Sequence, residues 1–141
     1  MRIVAAILLL GFAGCREKQA DPRQVLACMS SQPSHDEYLL VTRCEPLGKS
    51  EKMTGTWLVG FETSLFKEGS VKSGGRLSEY HQLVVPSRIN DVVHKADATG
   101  YATYELVFVG RRSLLQYKSE PSTFVADRII SVRRAQMQPP H

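Results

Sequence analysis

A chain of 141 residues with 43% hydrophobic content is the size of one domain and long enough to bury a real core. Eighteen Lys and Arg against fourteen Asp and Glu give a net charge of +4, a mildly basic balance that could favour anionic envelope surfaces but reads first as ordinary solubility charge. The four histidines, His35, His81, His94 and His141, show no His-x-x-x-His spacing, and the three cysteines show no Cys-x-x-Cys.

The chain opens with a basic start, Met1-Arg2, and an apolar run, Ile3 to Leu10. Small residues follow, in Phe12-Ala13-Gly14-Cys15. A positive end, an apolar core and small residues at a cut are the layout of a secretory signal peptide. The run is well short of the ~20 residues a membrane-spanning helix needs. A cysteine directly after small residues resembles the lipobox of bacterial lipoproteins, with Phe12 where that family usually has Leu. The resemblance implies that residues 1–14 are removed, that Cys15 carries lipid, and that the membrane is a partner through that lipid. With Arg16 rather than Asp after the cysteine, it also implies the periplasmic face of an outer membrane. Cleavage removes Arg2 and leaves a charge of +3 on the side chains.

Cys28 and Cys44 remain as a pair, and an exported, oxidising compartment favours their disulfide. Residues 15–35 read as a lipid-anchored tether. Within it, Asp21-Pro22 caps a short helix, with Val25, Leu26 and Met29 on one face. Residues 36–135 read as a single β domain, and 136–141, with Pro139-Pro140, as a disordered tail.

Five strands are expected in the β domain. Tyr38 to Cys44 is rich in β-branched and apolar residues and stops at Pro46 and Gly48. Thr54 to Phe66 alternates, with Trp57, Val59, Phe61 and Leu65 inward and Glu62 and Ser64 outward. Ser73-Gly74-Gly75 is a turn, and Leu77 to Val85 is the third strand. Ser87 opens a short helix with Ile89, Val92, Val93 and Ala96 on one stripe. Tyr101 to Val109 follows, with Tyr104, Leu106 and Phe108 inward. Thr123 to Val132 closes the series, and its alternation slips at Asp127-Arg128-Ile129-Ile130, the mark of a bulge. The fold class expected is all-β: a small five-stranded, partly open barrel of OB-like order or a compact β-sandwich, with a short N-terminal helix or arm.

No catalytic motif stands out. There is no Gly-x-Ser-x-Gly elbow, and Gly110-Arg111-Arg112 lacks a glycine-rich phosphate cradle. Glu62, Glu79 and Glu105 sit mid-strand without a defining spacing. Ser73-Gly74 begins a motif like that of lysozyme-inhibiting lipoproteins, but Leu77 stands where their Tyr would be. No cofactor, metal or nucleic acid is expected. The function expected is a membrane-anchored, non-enzymatic binding or assembly module of the cell envelope; the alternative is an envelope hydrolase. The candidate binding residues lie in two segments, Glu45 to Met53 and Arg111 to Pro121: Lys49, Lys52, Arg111, Arg112 and Lys118, with Tyr117 available to stack. They suit an anionic envelope polymer or another envelope protein.

Overall fold

The computed structural model describes residues 21–60, 63–69, 76–90, 100–115 and 122–135. The leader, Cys15, Phe61, Glu62, Ser73 to Gly75, Val92, Val93, Ala96 and the tail lie outside the described residues.

Helix α1 spans Pro22–Ser31, with Pro22 in its first turn and the Asp21 carboxylate accepting from the Arg23 N–H at 2.9 Å. Val25 is buried, and Met29, one turn on, packs against Val41, Val84 and Val125. Leu26 points away and is 59% exposed, so it does not share their face.

The first expected strand is a helix. Helix α2 spans Glu37–Cys44, and the all-β class is corrected accordingly. The Asp36 carboxylate accepts from the Leu39 N–H at 3.2 Å, Glu37 sits in the first turn, and Arg43 in the last. A capping Asp, an early acid and a late base outweigh the β propensity of Val41 and Thr42. Tyr38 and Val41, three residues apart, face the sheet together.

The second expected strand is a hairpin. Strand β1 runs Glu51–Gly60 and β2 runs Thr63–Glu68, and the pair Gly60↔Thr63 leaves two residues between them. A two-residue connection shifts the inward set from odd to even positions. Met53 and Trp57 point inward on β1, but Phe66, not Leu65, points inward on β2. The expected faces of Ser64 and Leu65 are corrected for this reason. The Trp57 indole N–H donates to Ser64 Oγ at 3.0 Å, and Ser64 Oγ donates to the Leu83 carbonyl at 2.7 Å. Ser64 thus ties three strands together.

A 3-10 turn, Leu77–Glu79, takes the start of the third expected strand, and β3 is only His81–Val84. Helix α3, Ser87–Asn90, places Ile89 against the core. Strands β4, Tyr101–Arg112, and β5, Thr123–Arg134, are the longest. Their register shifts between Val107 and Phe108 and between Val109 and Gly110, which leaves Ile130 and Asp127 as extra residues on β5. The bulge expected at 127–130 is there, doubled.

The domain is therefore two N-terminal helices followed by a five-stranded mixed sheet. Its hydrogen-bonded order is β1-β2-β3-β5-β4, and β4 pairs with β1 along ten residues, so the order returns on itself. The expected partly open β-barrel and the sandwich alternative are both corrected by this pairing. Among the described residues there is one sheet, the ring of strand pairs has no gap, and β3 runs parallel to β5.

The interior holds Trp57, Phe66, Leu83, Tyr104, Leu106, Phe108 and Phe124. Phe66 meets Phe108 and Phe124 edge-on, at centroid distances of 5.0 and 5.4 Å. A Cβ on Gly55 would lie 2.1 Å from the Lys67 carbonyl and 2.7 Å from the Phe66 ring, so only glycine fits there. A second, smaller core lies outside the sheet. Val84 and Val125, paired on β3 and β5, are covered by Val41, Tyr38, Met29 and Leu47.

Trp57 is fully buried and its indole N–H has a partner. Trp57→Ala is expected to lower stability by ~3–5 kcal/mol, measured by urea unfolding. An unchanged midpoint would contradict its place at the centre of the core.

Candidate binding surface

The two basic segments expected from the sequence meet in the structure. The Gly48 N–H donates to the Arg112 carbonyl at 2.9 Å, and the Leu114 N–H donates to the Pro46 carbonyl at 2.9 Å. Leu47 and Ser113 form a β-bridge between these contacts, and Ser113 Oγ donates to Glu45 Oε2 at 2.5 Å.

The arginines are less available than the sequence suggests. Arg111 donates from Nε and Nη2 to the two Asp127 oxygens, at 2.8 and 2.6 Å, and this partner raises its affinity for its proton. Arg112 donates to Glu68 at 2.8 Å, and its guanidinium lies 4.8 Å from the Phe124 ring centre. Both arginines fasten parts of the fold together. Lys49 and Lys52 are exposed and make no ion pair among the described residues, whereas Lys118 and Tyr117 lie outside them.

The register adds a residue that loop-based reasoning missed. Lys52 opposes Val109, and Val109 opposes Arg128 on the next strand. Lys52 and the exposed Arg128 therefore share one row of the sheet's outer surface. The signal was available only once β5 was placed beside β4. One row set further along, Arg133 pairs with Glu105 and Lys67 with Glu79, so these cations and carboxylates satisfy each other.

A shallow depression of about 320 Å³ lies between α2 and the sheet, lined by Asp36, Tyr38, Leu39, Pro86, Ser87 and Asp127. Its carboxylates are engaged. Asp36 caps α2 and accepts from the Ser87 hydroxyl, while Asp127 accepts from Arg111 and from the Tyr38 hydroxyl at 3.2 Å. Beside it, the Gln82 amide donates to Glu37 at 2.5 Å. This is a polar clamp fixing the N-terminal end of α2 to β5 and β3. Sequence reasoning missed it because Asp127 reaches Tyr38 across 89 positions.

Cys28 and Cys44 form a disulfide with their Cα atoms 5.6 Å apart. The bridge joins α1 to the C-terminal end of α2, not to a strand as expected. Among the described residues no cluster of His, Cys, Asp or Glu is arranged to hold a metal ion. Of the histidines, His35 is exposed and His81 lies against Phe124 with a ring-centre separation of 5.5 Å; His94 and His141 lie outside the described residues. Comparison with protein-family models, curated proteins and solved structures finds no match for this chain.

Two acids of the clamp are shifted in opposite directions. The Ser87 hydroxyl, then the Leu39 N–H, hold the Asp36 carboxyl below its ordinary value. Burial, then Glu45 and Asp36, raise Glu37. Asp36 therefore supports the fold above its unfolded value of ~3.9, and that support fades as the pH falls through its lower folded value. Glu37 acts with the other sign: its contribution declines as the pH rises from ~4.3 to its higher folded value. Carboxyl-carbon NMR titration should give the lower midpoint to Asp36, and the reverse order would refute the clamp geometry. Asp127→Ala is expected to cost ~1.5–3 kcal/mol, since it strips charged hydrogen bonds from a half-buried arginine. Glu105→Ala, in an exposed pair, should cost under ~1 kcal/mol, and urea unfolding of the two variants checks both values.

Proposed function

We propose that this chain is a lipoprotein of the cell envelope, held by lipid on Cys15, and that it works as a non-enzymatic binding or assembly module. The observation that carries the reading is the Cys28–Cys44 bridge. A disulfide belongs to an oxidising compartment, which fits export by residues 1–14. It also uses two of the three cysteines and leaves Cys15 as the odd one, at the place where the lipobox-like segment ends. The absence of Asp after Cys15 favours the periplasmic face of an outer membrane.

The strand order is read as OB-like, an arrangement that elsewhere presents a strand face and interstrand loops to extended ligands. Fold likeness alone assigns no ligand, so the binding reading rests on charge placement. Lys49 and Lys52 stand exposed on the segment that meets Ser113, and Arg128 joins Lys52 across the sheet. These three cations form the surface proposed to contact an anionic envelope polymer. Exposed cations contribute chiefly through long-range attraction, so this contact should weaken with salt over a screening length of ~8 Å.

Two measurements test this reading. Metabolic labelling with a fatty-acid analogue should mark the wild type and not Cys15→Ala, and equal labelling would remove the anchor. The combined variant Lys49→Glu, Lys52→Glu and Arg128→Glu should keep the wild-type melting temperature and lose salt-sensitive retention on an anionic polysaccharide resin. Undiminished retention would leave these residues as ordinary solvated charge.

A further inference from the structure

We infer that the anionic polymer met by Lys52 and Arg128 is one that bears a phosphate monoester and acyl chains, a phosphorylated glycolipid. This names the ligand class of the binding surface proposed above and rests on that reading. The register builds a shallow trough on the outer face from three adjacent strands. Lys52 and Arg128 lie opposite Val109 from its two sides, and Thr54 and Ser131 lie opposite Val107 from its two sides. Side chains alternate along a strand, so Val107 and Val109 face outward while Phe108 enters the core. Both valines are partly exposed, and Lys52, Thr54, Arg128 and Ser131 are exposed. The trough therefore has an apolar floor on β4 and polar walls on β1 and β5. Ile130, the residue that the bulge adds between the two rows, is 46% exposed.

Charge selects the head group. The Cα atoms of Lys52 and Arg128 are two strand spacings apart, roughly 10 Å, so both long side chains can reach one group lying over Val109. Neither cation makes an ion pair among the described residues, and the acids nearest the trough are committed, Asp127 to Arg111 and Glu105 to Arg133. Glu51, opposite Gly110, alternates onto the face of Met53 and away from the trough. Two unmatched cations across one valine fit a group with two negative charges. A phosphate monoester carries about −1.5 to −2 near neutral pH, and it offers an arginine fork two oxygens while a third meets the lysine. A carboxylate brings a single charge and leaves one of the two cations unmatched.

The floor selects the body. A wholly polar ligand gains nothing by covering Val107 and Val109, whereas acyl chains remove them from water. The apolar stems of Lys52 and Arg128 extend that floor while their heads stay at its rim. The occupant is thus a lipid-borne phosphate rather than a free one.

The test is titration calorimetry of the full chain with dihexanoyl phosphatidic acid, a phosphate monoester on short acyl chains, kept below its micelle concentration. Glycerol 3-phosphate supplies the same head without chains, and dihexanoyl phosphatidylglycerol supplies the chains on a singly charged diester. Phosphatidic acid should bind at least about tenfold more tightly than either, and should shift the methyl NMR signals of Val107 and Val109. Its affinity should fall as the pH drops through ~6, where the monoester loses its second charge; β1, β4 and β5 carry no histidine that titrates there. The double variant Lys52→Glu, Arg128→Glu should weaken its binding at least about tenfold, and Val109→Thr should narrow the gap between phosphatidic acid and glycerol 3-phosphate. Should a variant fail to fold, the three ligands on the wild-type chain decide the matter. No binding of phosphatidic acid, equal binding of either comparison ligand, an affinity indifferent to pH, or undiminished binding by the double variant would each overturn the inference. If the wild type is nonetheless retained on the anionic polysaccharide resin in a salt-sensitive way, the binding surface stands and only the lipid-borne phosphate is withdrawn.

Discussion

The narrow interior of a five-stranded sheet that returns on itself governs the rest of this structure. Few side chains fit inside, and Phe66 meets Phe108 and Phe124 edge to face. Such contacts add ~0.5–1.5 kcal/mol per pair beyond the area they bury. They also bring rings down onto neighbouring backbone. At Gly110, an added Cβ would come within 2.2 Å of the Val125 carbonyl and 2.6 Å of the Phe108 ring. Gly55 and Gly110 are thus the complement of the aromatic residues, one on each of two adjacent strands. The bulges of β5 belong to the same constraint, since added residues increase local twist and help a short sheet curve.

Closure leaves the outer face to be managed separately. Where β3 meets β5, Val84 and Val125 point outward and need cover, and α2 supplies it. The helix is fixed at both ends by different chemistry. Its N-terminal end is tied by Asp36 to Ser87, Glu37 to Gln82 and Tyr38 to Asp127. Its C-terminal end is tied covalently through Cys44 to α1. In the loop-entropy picture such a bridge is worth ~3 kcal/mol, a large share of the stability of a small domain. Away from α2 the outer face has no such cover among the described elements, and there Lys52, Arg128 and Arg133 reach solvent.

The inward set of β4, the bulged β5 and the cap of α1 were legible in the sequence because each depends on local pattern. Tyr104, Leu106 and Phe108 alternate, Asp127 to Ile130 break alternation, and Asp21-Pro22 opens a helix. Tyr38 to Cys44 was misread because seven residues satisfy a β propensity and a helical stripe equally well; Asp36 and Arg43 carried the deciding information. The expected strand from Thr54 to Phe66 concealed a hairpin, because residues on both sides of its turn are apolar. These two errors offset each other, so five strands were expected and five are found, with different members. The basic residues were legible as a composition, but their partners were not. Asp127 and Glu68 are distant in sequence from Arg111 and Arg112, and only the closed register brings them together.

The proposed anchor gives these parts a common geometry. From Cys15 to the start of α1 at Pro22 is seven residues, at most ~25 Å of extended chain. A domain on such a tether would stay close to a membrane surface, and α1 would take any pull first. Noncovalently, α1 is held by Val25 and Met29 and by the Arg43 contact to Gln32 at 3.3 Å, a small attachment for a helix under load. The Cys28–Cys44 bond passes that load to α2, and the clamp at Asp36, Glu37 and Tyr38 passes it on to β3 and β5. On this reading the disulfide and the clamp act in series. The bridge keeps the tether attached to α2, and the clamp keeps α2 attached to the sheet, so a partner engaged on the outer face would be coupled mechanically to the membrane.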